Sequence, residues 1–194
     1  MLGRGGMGVV FAATHLQLEQ RVAIKVLLED GTDPKMRERF AREARAASKI
    51  RSEHVAHVLD VGELGSGVPY MVMEYLVGED LARRVKTRGA VPAVEAVGYV
   101  LQACEALAEA HVAGIVHRDL KPANVFLARR ADGSIVVKLL DFGVSKVAVR
   151  GAEHVITAGA AVLGSPTYMP PEQIRSARDV DARGDLWSLG VMLF

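Results

Sequence analysis

The sequence has one cysteine, no long apolar run and almost no net charge, and each absence excludes a class of protein. With Cys104 alone no internal disulfide can form, which indicates a reducing compartment and a cytoplasmic location. The 24 Lys and Arg residues nearly balance the 23 Asp and Glu residues, so bulk charge offers no argument for nucleic-acid binding. No stretch approaches the roughly 20 apolar residues of a membrane-spanning helix. The N-terminus also lacks the apolar core of a signal peptide.

Half of the 194 residues are hydrophobic, which is enough for a sizeable core in one domain or two small lobes. Residue patterns predict strands in the first part of the chain, at 9–13, 21–27, 55–62 and 68–74. A charged helix is predicted at 33–50 and a long Ala-rich helix at 92–111, which Gly114 would end. Short strands follow at 125–127 and 135–140. Strands first and helices later predict an α+β arrangement.

A change of character near residue 75 predicts the domain organisation. We expect a nucleotide-binding lobe at 1–75, a catalytic lobe at 76–194 and a hinge near 74–78. Residues 1 and 2 lead directly into a glycine-rich segment, and the apolar helical pattern at 187–194 stops without a cap. We therefore expect the chain to be a domain cut at both ends, with its last helix starting near 185.

The segment from His117 to Asn124 is the most informative part of the sequence. It places Asp119, Lys121 and Asn124 within six residues, and Asp141 follows a later apolar run. An aspartate can orient a hydroxyl nucleophile, and a lysine can neutralise a phosphate. Amide and carboxylate oxygens suit the hard cation Mg²⁺. These residues predict a site for phosphoryl transfer, a reaction catalysed mainly by positioning and electrostatics.

A glycine-rich pattern near the N-terminus comprises Gly3, Gly5, Gly6, Gly8 and Val10. Such spacing alone is weak evidence for any one kind of site, because dinucleotide-binding folds and ordinary turns also contain it. Here the loop leads into a strand, whereas a dinucleotide site would lead into a helix. No Gly-Lys-Ser/Thr follows, which excludes a P-loop. The pattern therefore favours another kind of phosphate-binding loop.

Lys25 lies in the next predicted strand, among apolar residues. An unpaired ammonium would be costly there, so it needs phosphates on one side and a carboxylate on the other. Glu43 and Glu38 both lie on the predicted charged helix, and spacing alone does not choose between them.

Together these motifs resemble bacterial, eukaryotic-like serine/threonine protein kinases. The resemblance rests on the glycine-rich loop, Val22 to Lys25, His117 to Asn124, Asp141 to Gly143 and the stretch 164–172, in that order. It implies a two-lobed fold with a small β-rich N-lobe and a mainly helical C-lobe. It also implies transfer from ATP, with Mg²⁺ or alternatively Mn²⁺, to protein substrates that include the kinase itself. Lys121 is typical of serine/threonine rather than tyrosine kinases.

The resemblance further implies a role for each site residue. Asp119 would be the catalytic base, Lys121 would neutralise the transferring group, and Lys25 would pair with Glu43. Asn124 and Asp141 would hold the metal. The adenine site would comprise Val10 and Ala23 above, Phe126 below, Met73 behind, the backbone from Glu74 to Leu76 at the base edge, and Asp80 at the ribose. Supporting roles would fall to His117, Phe142, Arg118 as a phosphate partner, and Asp185 as a brace for the catalytic loop.

The stretch between Asp141 and Glu172 resembles an activation segment. Its candidate phosphorylation sites are Thr157, Ser165 and Thr167. Pro170 stands where the family usually has Ala or Ser. A small-molecule phosphotransferase is a weaker alternative, because it would not be expected to contain Lys121 or the Pro-Glu ending. The second alternative is an inactive nucleotide-binding fragment, in which the chemistry fails because the chain is truncated.

Overall fold

The structure is a computed structural model that describes residues 1–5, 8–27, 34–142, 166–175 and 180–194. The strands in these residues are β1 (Gly3–Arg4), β2 (Gly8–His15), β3 (Gln20–Leu27), β4 (Val58–Glu63), β5 (Pro69–Glu74), β6 (Gly78–Asp80), β7 (Val125–Arg129) and β8 (Ile135–Leu139). The α-helices are α1 (Pro34–Ala47), α2 (Leu81–Arg88), α3 (Ala93–Val112), α4 (Pro171–Arg175) and α5 (Ala182–Leu193). Two short 3₁₀ helices are Pro122–Asn124 and Pro166–Tyr168.

An antiparallel sheet in the order β1-β2-β3-β5-β4 forms the N-terminal part. Helix α1 packs on this sheet through Phe40 and Ala44, which contact Leu27 of β3 and Met71 of β5 in one buried cluster. Phe40, Glu43 and Ala44 follow the three- and four-residue spacing of one helix face. The packing that buries Phe40 therefore also turns Glu43 towards the sheet.

Helix α3 is the centre of the second part. Its buried residues Tyr99, Ala103, Ala106, Leu107 and Ala110 recur at helical spacing. They share one core cluster with residues of β7, β8 and α5. Small alanines on this face let the three-stranded sheet β6-β7-β8 approach the helix closely. This arrangement confirms the predicted α+β fold.

The end of α3 directs the chain into the segment from His117 to Asn124, whose predicted role gives it the name catalytic segment from here on. Gly114 has φ of 73°, and its amide donates to His111 O at 3.0 Å. Ile115 N donates to Ala110 O at 2.8 Å, and the Ile115 side chain packs on the core. These two bonds form a Schellman motif, which needs a residue with left-handed backbone at Gly114.

The predicted strand at 55–62 differs from the observed β4, which begins at Val58. The residues before β4 pair with β8 instead, because Ala56 N donates to Leu139 O and Leu139 N donates to His54 O. Val55 forms an isolated parallel bridge with Leu139. This segment therefore joins the two sheets. None of the helices in the described ranges has the length and apolarity to cross a membrane.

Replacing Gly114 by Ala should test the helix-ending motif. A Cβ at positive φ costs roughly 1–2 kcal/mol, so we expect the free energy of unfolding to fall by about that amount. Urea denaturation measures this change. Gly65→Ala is the matched control, because Gly65 is not among the glycines of positive φ and its added Cβ would meet no atom within 4 Å. Equal effects of the two substitutions would contradict the assignment.

Candidate active site

Three remote segments converge on the ammonium of Lys25. Its Nζ lies 2.6 Å from Glu43 Oε1 on α1 and 2.7 Å from Asp141 Oδ1, two residues beyond β8. The Lys25 and Glu43 side chains are 7% and 4% exposed, whereas that of Asp141 is half exposed. Glu38, the other candidate, is exposed and lies 4.0 Å from Arg42. The structure thus pairs Lys25 with Glu43.

The pKa values of this cluster follow from burial and charge. Desolvation disfavours the ammonium of Lys25, but Asp141 and Glu43 outweigh it and raise its pKa, so Lys25 remains charged. Desolvation raises the pKa of Glu43 to about 7, against the attraction of Lys25. Desolvation opposes the charge on Asp141 as well, yet the Lys25 ammonium holds its pKa below the usual range. Asp141 is therefore an anionic, accessible carboxylate.

The glycine-rich hairpin lies beside this cluster. Gly3 pairs with Val10 across β1 and β2, and Gly5 N donates to Gly8 O at 2.9 Å. A Cβ on Gly8 would lie 2.4 Å from Val26 O, so only glycine permits this approach of β2 to β3. Gly6 lies outside the described residues. Val10 is the register partner of Lys25, so the hairpin runs beside the strand residue that bears the ammonium.

The predicted adenine residues come from both sheets. Ala23 on β3 pairs with Met73 on β5, and Phe126 lies on β7 opposite Asp80. The segment 74–76 begins with the last residue of β5 and leads towards β6 of the second sheet. This distribution is compatible with a cleft between the sheets, and the adenine contacts themselves stay predictions.

Asp80 has a role that the sequence reasoning missed. It is the N-cap of α2, and its Oδ1 accepts a hydrogen bond from Arg83 N at 2.8 Å. Asp80 at an N-cap and Gly89 just after α2 are the signals that could have predicted this helix. The ribose contact of Asp80 stays a prediction.

The catalytic segment brings Asp119, Lys121 and Asn124 together. Asp119 Oδ2 lies 3.1 Å from Lys121 Nζ and 3.4 Å from Asn124 Nδ2. Asn124 Nδ2 also donates to Asp119 O at 2.8 Å, so the amide oxygen is the atom left to face a cation. Leu140 N donates to Asn124 O at 2.9 Å, which ties Asn124 to the residue before Asp141.

Asp185 holds the backbone of this segment from below. Its buried carboxylate accepts from His117 N and Arg118 N, each at 2.9 Å, and contacts His111 Nε2 at 2.8 Å. Gln173 Nε2 donates to Arg118 O at 2.9 Å. Arg118 has φ of 62°, a strained value for a non-glycine residue. These contacts fix that conformation at both peptide groups of Arg118.

His117 is fully buried and packs on Phe142, with ring centroids 4.7 Å apart. Its Nδ1 accepts from Asp119 N at 3.3 Å, which leaves Nε2 to donate to Leu140 O at 3.0 Å. Burial lowers the pKa of His117, in agreement with this neutral tautomer. The geometry fits the packing role expected for His117 and Phe142.

The activation-segment residues are only partly within the described ranges. Thr157 and Ser165 lie outside them. Thr167 is exposed in the 3₁₀ helix before α4, and Glu172 lies in the first turn of α4. Their roles stay predictions.

Comparison with known proteins identifies the family. Residues 1–194 match the protein kinase domain. The chain belongs to the protein kinase domain family. It is 44% identical over 194 residues to the serine/threonine-protein kinase Pkn1 of Myxococcus xanthus. It is 39% identical over 198 residues to the serine/threonine-protein kinase PknB of Mycobacterium leprae. Both matches cover the whole chain but only 27% and 31% of these relatives' own lengths.

A solved kinase structure has the same fold. The crystal structure of the Mycobacterium tuberculosis PknI kinase domain superimposes with a TM-score of 0.73 at 30% identity. The match covers all of this chain and 70% of that one. The two-lobed protein-kinase fold expected from the motifs is thereby confirmed.

Replacing Asp185 by Ala should destabilise the protein kinase domain strongly. The buried amide of His117, the partly buried amide of Arg118 and the ring of His111 would lose their acceptor, at about 1–3 kcal/mol for each buried donor left unsatisfied. We expect a loss of at least ~3 kcal/mol in urea denaturation. Asp181→Ala removes an exposed N-cap of the same helix and should cost only ~1 kcal/mol. Similar losses for the two variants would show that Asp185 is not the brace.

Proposed function

We propose that this chain holds the active site of a protein kinase that transfers the γ-phosphoryl group of ATP to serine and threonine hydroxyls of proteins. The observation that carries this proposal is the convergence of Lys25, Glu43 and Asp141 at 2.6 and 2.7 Å from remote parts of the chain. The names of the relatives support the same reaction. Lys121 beside Asp119 supports a serine/threonine acceptor.

The residues of the site fit a nucleotide triphosphate and a divalent cation. Lys25 supplies a buried positive charge, and Gly3 and Gly5 leave the hairpin without side chains at two open positions, so its backbone can approach phosphate oxygens. Asn124 and Asp141 offer oxygen donors. So small a protein ligand set suits Mg²⁺, which keeps waters and phosphate oxygens in its shell. Mn²⁺ accepts similar donors. The bound cation would neutralise charge on the phosphates.

The catalytic segment would then act on the acceptor hydroxyl. Asp119 would orient this hydroxyl and accept its proton, while a new bond forms between its oxygen and the γ-phosphorus. The bond from phosphorus to the bridging oxygen breaks, and ADP leaves. Lys121, 3.1 Å from Asp119, can contact the transferring group and stabilise its charge. Lys25 would hold the remaining phosphates.

Transfer of labelled phosphate from ATP to a generic basic protein tests the proposal. Asp119→Asn should lower the rate about 10²–10⁴-fold, the usual contribution of a general base, and should leave ATP binding intact. Asp132→Asn, a change in the exposed β7–β8 turn, is the control and should keep the wild-type rate.

Two results would favour the alternatives. ATP binding without transfer, also in a chain extended past Phe194, would indicate an inactive nucleotide-binding module. Transfer confined to small molecules would indicate a small-molecule phosphotransferase.

We further propose that the kinase phosphorylates itself on Thr157, Ser165 or Thr167, and that Arg118 binds the resulting phosphate. A cavity of about 330 Å³ beside Arg118 is also lined by Arg42, Arg45 and Lys49. Arg42 Nε and Arg118 Nη1 are buried and lack a hydrogen-bond partner among the described residues. Such donors suit a phosphate dianion, which accepts several charge-assisted hydrogen bonds.

Phosphatase treatment should lower wild-type activity several-fold if this phosphate orders the site. Arg118→Gln and Arg42→Gln should have low activity before and after treatment, because the phosphate loses its partner. Arg83→Gln, on the exposed side of α2, should respond like the wild type. Phosphopeptide mapping that found all three residues unmodified in active protein would reject the proposal.

A further inference from the structure

Lys138 is a buried charge for which the proposed chemistry has no use. It lies on β8, three residues before Asp141, and is 7% exposed. Its Nζ contacts Glu74 Oε1 at 2.7 Å and Val55 O at 3.5 Å. A buried ammonium with one carboxylate partner depends on that partner, because desolvation is costly for an unpaired charge.

Glu74 is fixed at both its backbone and its side chain. It is the last residue of β5 and the first of the segment 74–76, whose backbone was predicted to bind the adenine edge. Glu74 N donates to His57 O at 3.0 Å, and Glu74 Oε1 accepts from His57 N at 2.8 Å. The same carboxylate oxygen accepts from Lys138. The start of the segment therefore cannot move without breaking this ion pair.

The other end of the ion pair lies at the predicted floor of the adenine site. Lys138 is the register partner of Phe126 across β7 and β8. Glu74 is the register partner of Val22, which is adjacent to Ala23 on β3. The ion pair thus joins the strand under the base to the backbone at the base edge, across the junction of the two sheets.

We propose that Lys138 and Glu74 are positioning residues for the adenine base. The inference rests on the proposed function and deepens it. Their ion pair fixes the separation between Phe126 and the 74–76 backbone before the nucleotide arrives. A site held in its binding geometry loses less conformational freedom on binding, so its affinity is higher. The pair touches neither the phosphates nor the acceptor hydroxyl.

This geometry predicts an effect confined to the base. Lys138→Met should lower the affinity for adenosine and the affinity for Mg·ATP by the same factor, roughly three- to tenfold. This factor corresponds to the cost of ordering one or two side chains. Lys25→Met should lower the affinity for Mg·ATP and leave the affinity for adenosine unchanged, because Lys25 would contact only the phosphates. Comparison of the two ligands therefore separates base positioning from phosphate binding.

Isothermal titration calorimetry of the folded variants with adenosine and with Mg·ATP tests the proposal, at a temperature well below each unfolding midpoint. Lys138→Met, Glu74→Gln and the double variant should lose similar affinity, because either change alone breaks the pair. Lys138→Arg should restore part of it. Arg130→Met is the control, since it breaks an exposed ion pair between Arg130, which follows β7, and Glu53, which precedes β4. It should bind both ligands like the wild type.

Each outcome has one meaning. Unchanged adenosine affinity in both Lys138→Met and Glu74→Gln would overturn the inference and leave the proposed function intact, even if both variants melted earlier. Additive losses in the double variant would also overturn it, because the residues would then act separately. Should Lys138→Met fail to fold, the isosteric Glu74→Gln breaks the same ion pair and provides the loss of affinity, and Lys138→Arg provides the partial recovery. A wild-type chain that bound neither ligand would reject the proposed function as well.

Discussion

The ammonium of Lys25 sits between two carboxylates, and the arrangement of the site depends on this cluster. Glu43 reaches it because Phe40 and Ala44 anchor one face of α1 on the sheet. Asp141 reaches it because β8 ends beside the catalytic segment, where Leu140 bonds to Asn124. Buried charges interact strongly only when their geometry is well fixed. The cluster therefore requires α1, β3 and the end of β8 to be in place together.

In the catalytic segment, the residues that hold the backbone in place differ from those that can reach a substrate. Below the backbone, Asp185 and His117 are buried and use their hydrogen bonds to set the conformation of the chain. Above it, Asp119 and Lys121 are partly exposed and can reach a substrate. The strained backbone conformation of Arg118 persists because the hydrogen bonds to its two peptide groups hold it in place. One short segment can thus be rigid and accessible at once.

The part of the site whose residues lie close together in the sequence was predictable. Contacts between residues that lie far apart in the sequence were not. Asp119, Lys121 and Asn124 lie within six residues of the sequence, so their spacing already implied that their side chains are close together. Glu43 and Glu38 could not be separated by spacing, since only the packing of Phe40 turns one of them inward. The fold class followed from the order of strands and helices, although β6 and α2 were missed.

Lys138 and His111 lay beyond sequence reasoning for the same reason. Their partners are 64 and 74 residues away, and no pattern marks either side chain as paired. The start of β4 was misplaced because the residues before it, Val55 and Ala56, are apolar like those of a strand but lie against β8. Local patterns determine which elements form, whereas long-range pairing determines where they end.

The single proton on the His117 ring has a consequence for how the site responds to acid. A second proton on Nδ1 would break the contact with Asp119 N, directly under the carboxylate that meets the substrate. Burial makes that protonation unfavourable and lowers the pKa of His117, so the His117 ring stays neutral at physiological pH. Acidification near neutral pH therefore leaves the contact between the His117 ring and Asp119 N in place.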